Sequence, residues 1–309
     1  FFFNQDRKMH AVLEAMEYLK GREDVGKIVL MGHSGGATLM TAYQAIAENG
    51  PGVFQGEGMI YPYEDSTELI PADAVMLFDA NWGNSVMQLF SLDPAVTDET
   101  SGRKLDESLN LFSPENGFDP AGSRFPADFI RSFQRSQSAR NIRILTAAKE
   151  RLRLIRAGQG NYIDDEPLVI PGANQVFFNN KLYAQDIRLM AHTETPHPLV
   201  HPDGSVTVEI VRSLRAPENP VSLTDNMMDG ARIMTVKNYL SSYAVETEED
   251  FGYDESRVWG IRWESTYSSP VGNVRHIRVP LLTVGMTAGW EYLASETIYN
   301  EAASERKAI

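Results

Sequence analysis

Residues 27–37 read Lys27-Ile28-Val29-Leu30-Met31-Gly32-His33-Ser34-Gly35-Gly36-Ala37. Ile28 to Met31 form a continuous apolar run, as expected of a short strand buried on both faces. Gly32 to Gly36 match G-x-S-x-G, and Ala37, Met40, Ala42, Tyr43 and Ile46 then recur at helical spacing. Strand, glycine-flanked serine and helix in that order predict a sharp turn with Ser34 at its tip, its backbone strained and its hydroxyl exposed above the sheet edge. Glycines on both sides are expected to relieve crowding against the neighbouring chain. The helix that starts there points free N–H groups at any oxyanion formed when the hydroxyl attacks a carbonyl.

In this layout the segment resembles the nucleophile elbow of the α/β-hydrolase superfamily. The resemblance implies an α/β fold: a mostly parallel sheet with helices on both faces and a cap inserted in it. Upstream, residues 6–20 place Met9, Val12, Leu13, Met16 and Leu19 on one helical stripe, with His10 off it as a solvated residue. Gly21 stops that helix. Family members carry several strands before it, so the resemblance implies that the chain begins in mid-fold. Downstream, the elbow helix ends at Asn49-Gly50-Pro51, and residues 52–71, with Pro62 and Pro71, read as irregular. Ala74 to Phe78 is a second buried strand, ending at Asp79-Ala80-Asn81-Trp82-Gly83, and should form a right-handed parallel crossover with the first. A third strand, Val279 to Gly285, carries Pro280 at its start. A helix over 294–304 follows, and Lys307-Ala308-Ile309 opens one more strand.

Residues 84–270 break this alternation. A loop rich in Asp, Ser, Pro and Gly near 93–124 precedes two expected Arg-rich helices, 126–138 and 140–157, read as a solvated or interfacial face rather than an anion site. A Pro-interrupted stretch, 167–202, leads to a hairpin turn at Asp203-Gly204 and an alternating strand over Val206, Val208, Ile210 and Val211. A helix over 225–242 and the acidic run Glu246–Asp250 complete the span. The expected organisation is therefore core at 1–83, cap at 84–270 and core again at 271–309.

Composition removes several function classes. The net charge of −14, from 28 basic and 42 acidic residues in 309, argues against nucleic acid or an anionic membrane surface as partner. With no cysteine, disulfides, Cys–zinc sites and a Cys nucleophile are excluded. No apolar run approaches the ~18 residues of a membrane span, and Phe1-Phe2-Phe3 is too short for a signal peptide. No cofactor is implied, and homo-oligomerisation stays open.

A serine hydroxyl needs an imidazole to take its proton, and the imidazole needs a carboxylate to orient it. The resemblance implies Ser, then Asp or Glu, then His in chain order, each following a strand. After the third strand this chain reads Gly285-Met286-Thr287-Ala288-Gly289-Trp290-Glu291, with Gly289 where the family commonly has Asp. Two replacements offer themselves: Glu291, two residues on, and Asp79, at the end of the preceding strand, where some serine lipases of this fold carry their acid. The resemblance places the histidine past Ile309. His276 precedes its strand, and His33 must point away from the mouth if Ser34 points into it. His192, His197 and His201 lie in an extended, Pro-broken segment that does not converge ligands on a metal. One oxyanion donor is expected to be the Gly35 N–H, the second a group upstream of Phe1.

The activity so implied is hydrolysis of an ester, lactone or related acyl bond through an acyl-enzyme on Ser34, with a small apolar or amphipathic acyl substrate. Thioesterases, amidases and C–C bond hydrolases share the elbow. Epoxide hydrolases and dehalogenases are disfavoured, since they need Asp at Ser34. The competing class is a hydrolase-like binding protein that has lost its triad.

Overall fold

The computed structural model describes residues 5–175 and 180–309. Phe1-Phe2-Phe3 and part of the Pro-interrupted stretch lie outside the described residues. The apolar stripe near the start becomes α1 (Gln5–Lys20), with Met9 and Met16 buried beneath it. His10 is exposed but partnered, its Nε2 lying 2.5 Å from Asp65 Oδ2. β1 (Val29–His33) runs through Ser34 into α2 (Gly36–Asn49). Gly50 ends α2 at φ 78° and returns its N–H to the Ile46 carbonyl, and Pro51 opens a short 3-10 turn. β2 (Ala74–Phe78) follows and pairs parallel to β1, Leu30 opposite Val75.

After α3 (Asn84–Phe90), residues 93–124 loop to α4 (Ala127–Arg156), one 30-residue helix where two were expected. No Gly or Pro interrupts it. The polar residues at the expected break are held by tertiary partners instead. Ser138 Oγ lies 2.8 Å from Thr247 Oγ1 and donates to the Glu248 carbonyl. Arg131, Arg135 and Arg143 do line an exposed face, but Arg140 is fully buried. Its Nε and Nη2 grip the Glu99 carboxylate at 2.9 and 2.6 Å, and it donates to the Asp93 and Pro171 carbonyls. Glu99→Ala would strand that cation in the interior, and about 3 kcal/mol of stability should be lost. Arg143→Ala, which removes only an exposed pair at 4.0 Å to the same carboxylate, should change stability by less than about 0.5 kcal/mol. Equal urea midpoints for the two variants would contradict this reading.

β3 (Pro167–Ile170) and the short α5 (Leu182–Gln185) lead to β4 (His192–Val200) and β5 (Val206–Arg212), an antiparallel hairpin. Its turn is the expected Asp203-Gly204, with Gly204 at φ 83°. The helix expected over 225–242 is instead α6 (Met227–Gly230), β6 (Arg232–Thr235) and α7 (Val236–Ser242). β6 pairs antiparallel with β3. At Gly230 any Cβ would collide with the Leu223 carbonyl, and Thr235 caps a new helix through the Asn238 N–H, so one continuous helix cannot form. The acidic run is a strand, β7 (Glu246–Tyr253), paired with β8 (Val258–Arg262). Lys149 and Arg262 both bind Glu246 at 2.8 Å.

α8 (Pro270–Asn273) returns the chain to α2, where Asn273 Nδ2 donates to Thr41 Oγ1 at 3.1 Å. β9 (Leu281–Val284), α9 (Tyr292–Glu301) and β10 (Lys307–Ala308) complete the order. The fold is mixed α/β around a four-stranded parallel sheet in the order β1-β2-β9-β10. Two apolar cores result. One joins the sheet (Leu30, Val75, Leu77, Leu281) to α2 and α9 and also takes in Phe90, Phe133, Tyr183, Phe251 and Tyr253 of the 84–270 span. The other lies within 84–270, where Ile144, Leu145 and Leu152 of α4 meet Tyr239 and Leu240 of α7, and it reaches Ile60 and Tyr61. Among the described residues no helix is long and apolar enough to cross a membrane.

Candidate active site

Three non-glycine residues among those described have φ in the left-handed region: Ser34 at 51°, Asp79 at 46° and Met190 at 50°. The first two are the residues that directly follow β1 and β2, at equivalent register, since His33 pairs with Phe78. Neighbouring strands are about 4.8 Å apart, so Ser34 and Asp79 stand side by side at the carboxyl edge of the sheet. Each backbone is pinned from the next strand. Ser34 N–H donates to the Phe78 carbonyl at 3.0 Å, and Asp79 N–H donates to the Val284 carbonyl at 2.6 Å. The chain turns at once into α2, with Ala37 N–H donating back to the Ser34 carbonyl at 3.1 Å.

The glycines around Ser34 do not share the work as expected. A Cβ on Gly32 would lie 2.6 Å from Ala37 Cα and 2.8 Å from Ala37 N, whereas one on Gly36 would meet nothing within 4 Å. Crowding is one-sided because the helix folds back over the strand, not over its own first turn. Gly32→Ala must push backbone against backbone and should cost about 3 kcal/mol. Gly36→Ala places a better helix former in open space and should be neutral or stabilise by up to about 1 kcal/mol. Thermal melts of the two variants check this; equal destabilisation would show that both glycines are sterically required. The Gly35 N–H has no hydrogen-bond partner among the described residues. It stands at the start of α2, where the helix dipole favours negative charge.

Both candidate acids reach this region. Met286 N–H donates to Asp79 Oδ1 at 2.9 Å, which holds the carboxylate between the ends of β2 and β9. Glu291 precedes α9, and Trp290 N–H donates to its Oε2 at 3.1 Å. That oxygen occupies the space where a side chain on residue 289 would begin. Burial first, and then the charge of Asp79, push the Glu291 carboxyl above its ordinary value. Asp79 is thus the candidate whose backbone stands beside Ser34, and Glu291 is a second carboxyl within the electrostatic reach of Asp79. The aromatic wall beside them had no sequence signal: Trp82 stacks on Trp290 at 5.6 Å with a 2° interplanar angle, and Tyr183 packs against Trp290 at 5.1 Å.

Among the described residues no histidine forms a hydrogen bond or ion pair with Ser34 or Asp79. His33 is exposed on β1. His276 precedes β9 and lines a groove with Phe54, Met59 and Trp263, where burial and then Arg275 and Arg278 lower its basicity. His192, His197 and His201 point to separate partners: the Thr193 carbonyl, Glu296 Oε1 and Thr207 Oγ1, at 2.9, 2.8 and 2.8 Å. Glu296 also accepts the N–H groups of Glu194 and Thr195, each at 2.9 Å, and so ties the β4–β5 hairpin to α9. A pair 99 residues apart leaves no local pattern to read. No protein-family model, curated protein or solved structure matches the chain.

Proposed function

We propose that this chain carries an α/β-hydrolase core and acts as a serine hydrolase on an ester, lactone or related acyl bond. One observation carries the reading: Ser34 and Asp79, both in the left-handed region, end neighbouring parallel strands beside the unpartnered Gly35 N–H. Such backbone strain costs about 1–3 kcal/mol per residue, and glycine would relieve it at either position. Retaining a hydroxyl and a carboxylate there makes sense where their chemistry is used.

In the proposed route Ser34 Oγ attacks the acyl carbonyl while its proton passes to a base standing between Ser34 and Asp79. The Asp79 carboxylate orients that base and stabilises its cationic form. The Gly35 N–H donates to the oxyanion. Collapse expels the alcohol, which takes the proton, and water then releases the acid from Ser34. The second reading, a hydrolase-like binding protein, is favoured by the lack of any histidine hydrogen-bonded to Ser34 among the described residues. A fluorophosphonate probe separates the two on the full-length protein, because phosphonylation needs an activated serine. An adduct mapped to Ser34 is the expected result. No adduct, under conditions that label a known serine esterase, would overturn the hydrolase reading.

A further inference from the structure

Lys181 lies just before α5 and is only 7% exposed. Lysine is seldom buried without a counter-charge, because desolvating an ammonium is costly. Here Nζ donates to the Gln175 carbonyl at 3.3 Å, and it contacts no carboxylate among the described residues. Of the three donors an ammonium carries, two have no partner among the described residues. Glu218 and Glu291 act on it only through space, and burial lowers its basicity more than they raise it. Arg215, the other buried cation nearby, differs: both its terminal nitrogens donate, to the Met190, Tyr183 and Leu189 carbonyls, and its Nε alone lacks a partner among the described residues.

The position of the amine is informative. Gln175, whose carbonyl holds Lys181, donates from its side chain to the Asn84 carbonyl at 3.3 Å. Asn84 Oδ1 in turn lies 3.7 Å from where a Cβ on Gly35 would stand. On the other side, Glu291 is in electrostatic reach of both Lys181 and Asp79. The cation is thus linked to the candidate oxyanion donor through Asn84 and Gln175, and to the candidate acid through Glu291.

We propose that Lys181 is an anion subsite of the acyl pocket, and that the substrate is an ester bearing a carboxylate. The proposal rests on the serine-hydrolase reading. Two open donors match the two oxygens of a carboxylate. A dianion such as phosphate would meet the fields of Glu218 and Glu291 with one cation to offset it. A bound carboxylate would also supply the counter-charge that the buried ammonium lacks.

The test compares two 4-nitrophenyl esters of equal chain length on the full-length protein, the glutarate hemi-ester and the neutral pentanoate. Wild type should favour the hemi-ester in kcat/KM by about tenfold or more, the value of one charged hydrogen bond. Lys181→Met and Lys181→Gln should each remove about tenfold or more of that preference. An unchanged ratio in both variants, or a wild type that favours the neutral ester, overturns the subsite. Calorimetric binding of glutarate to Ser34→Ala, with and without Lys181→Met, reads the same site without turnover. Binding abolished by Lys181→Met while wild type hydrolyses neither ester would keep the subsite and discard the hydrolase. Binding absent from Ser34→Ala, or undiminished by Lys181→Met, would discard the subsite.

Discussion

Ser34→Ala is expected to lower kcat/KM for a short acyl ester by about 10⁴- to 10⁶-fold, the loss seen when a serine nucleophile is removed from an intact triad. Stability should stay within about 0.5 kcal/mol. Alanine at φ 51° carries the same backbone strain as serine. The hydroxyl itself has no hydrogen-bond partner among the described residues, so its removal leaves no buried group unsatisfied. The Ser34 N–H to Phe78 and the Ser34 carbonyl to Ala37 are backbone bonds that the substitution keeps. Ester turnover that persists undiminished in a well-folded Ser34→Ala protein would remove Ser34 from the chemistry.

Asp79→Asn should reduce turnover by about 10³- to 10⁴-fold, against less than about tenfold for Glu291→Gln. Asparagine retains an oxygen for the Met286 N–H, so the 2.9 Å bond and the geometry survive while the charge is lost. Glu291 is a poorer partner for a cationic base, since burial and then the negative charge of Asp79 favour its neutral form. The reverse ranking would make Glu291 the acid. Stability provides an independent check with a definite sign. A carboxyl whose folded pKa is raised above 4.5 adds stability that is fully present below that pH. This contribution fades as pH rises through the raised value. Glu291→Gln cannot lose a proton, so the variant should gain on wild type as pH increases from 4.5 towards neutrality. A pH-independent difference in unfolding free energy would contradict the raised value.

The elements legible in the sequence were those set by neighbours along the chain. The helix stripe at Met9 and Met16, the Gly50 stop and the Asp203-Gly204 turn all appear in place. The strands around 28–31, 74–78 and 279–285 do as well, and Lys307-Ala308 does begin a strand on β9. Errors arose where distant residues decide a local outcome. The expected break in α4 vanished because its polar residues are bonded to Thr247, Glu99 and Asp93. The expected helix over 225–242 broke because Gly230 packs on the Leu223 carbonyl and β6 finds β3.

By itself the sequence determined the strand–serine–helix turn at Ser34 and offered Asp79 and Glu291 as candidate carboxylates. Local sterics suffice for that, because φ, ψ and the side-chain period are limited by atoms a few bonds away. Tertiary structure alone decided that Asp79 follows the strand paired with the one that ends at Ser34, since the register between β1 and β2 puts the two side by side. It alone decided that Gly32, and not Gly36, is sterically required. Only the assembled fold could bury Lys181 with no contacting carboxylate among the described residues and tie it through Gln175 to Asn84. The physical reason is common to all three: burial, register and charge proximity belong to pairs of segments, and they have no value until those segments have packed.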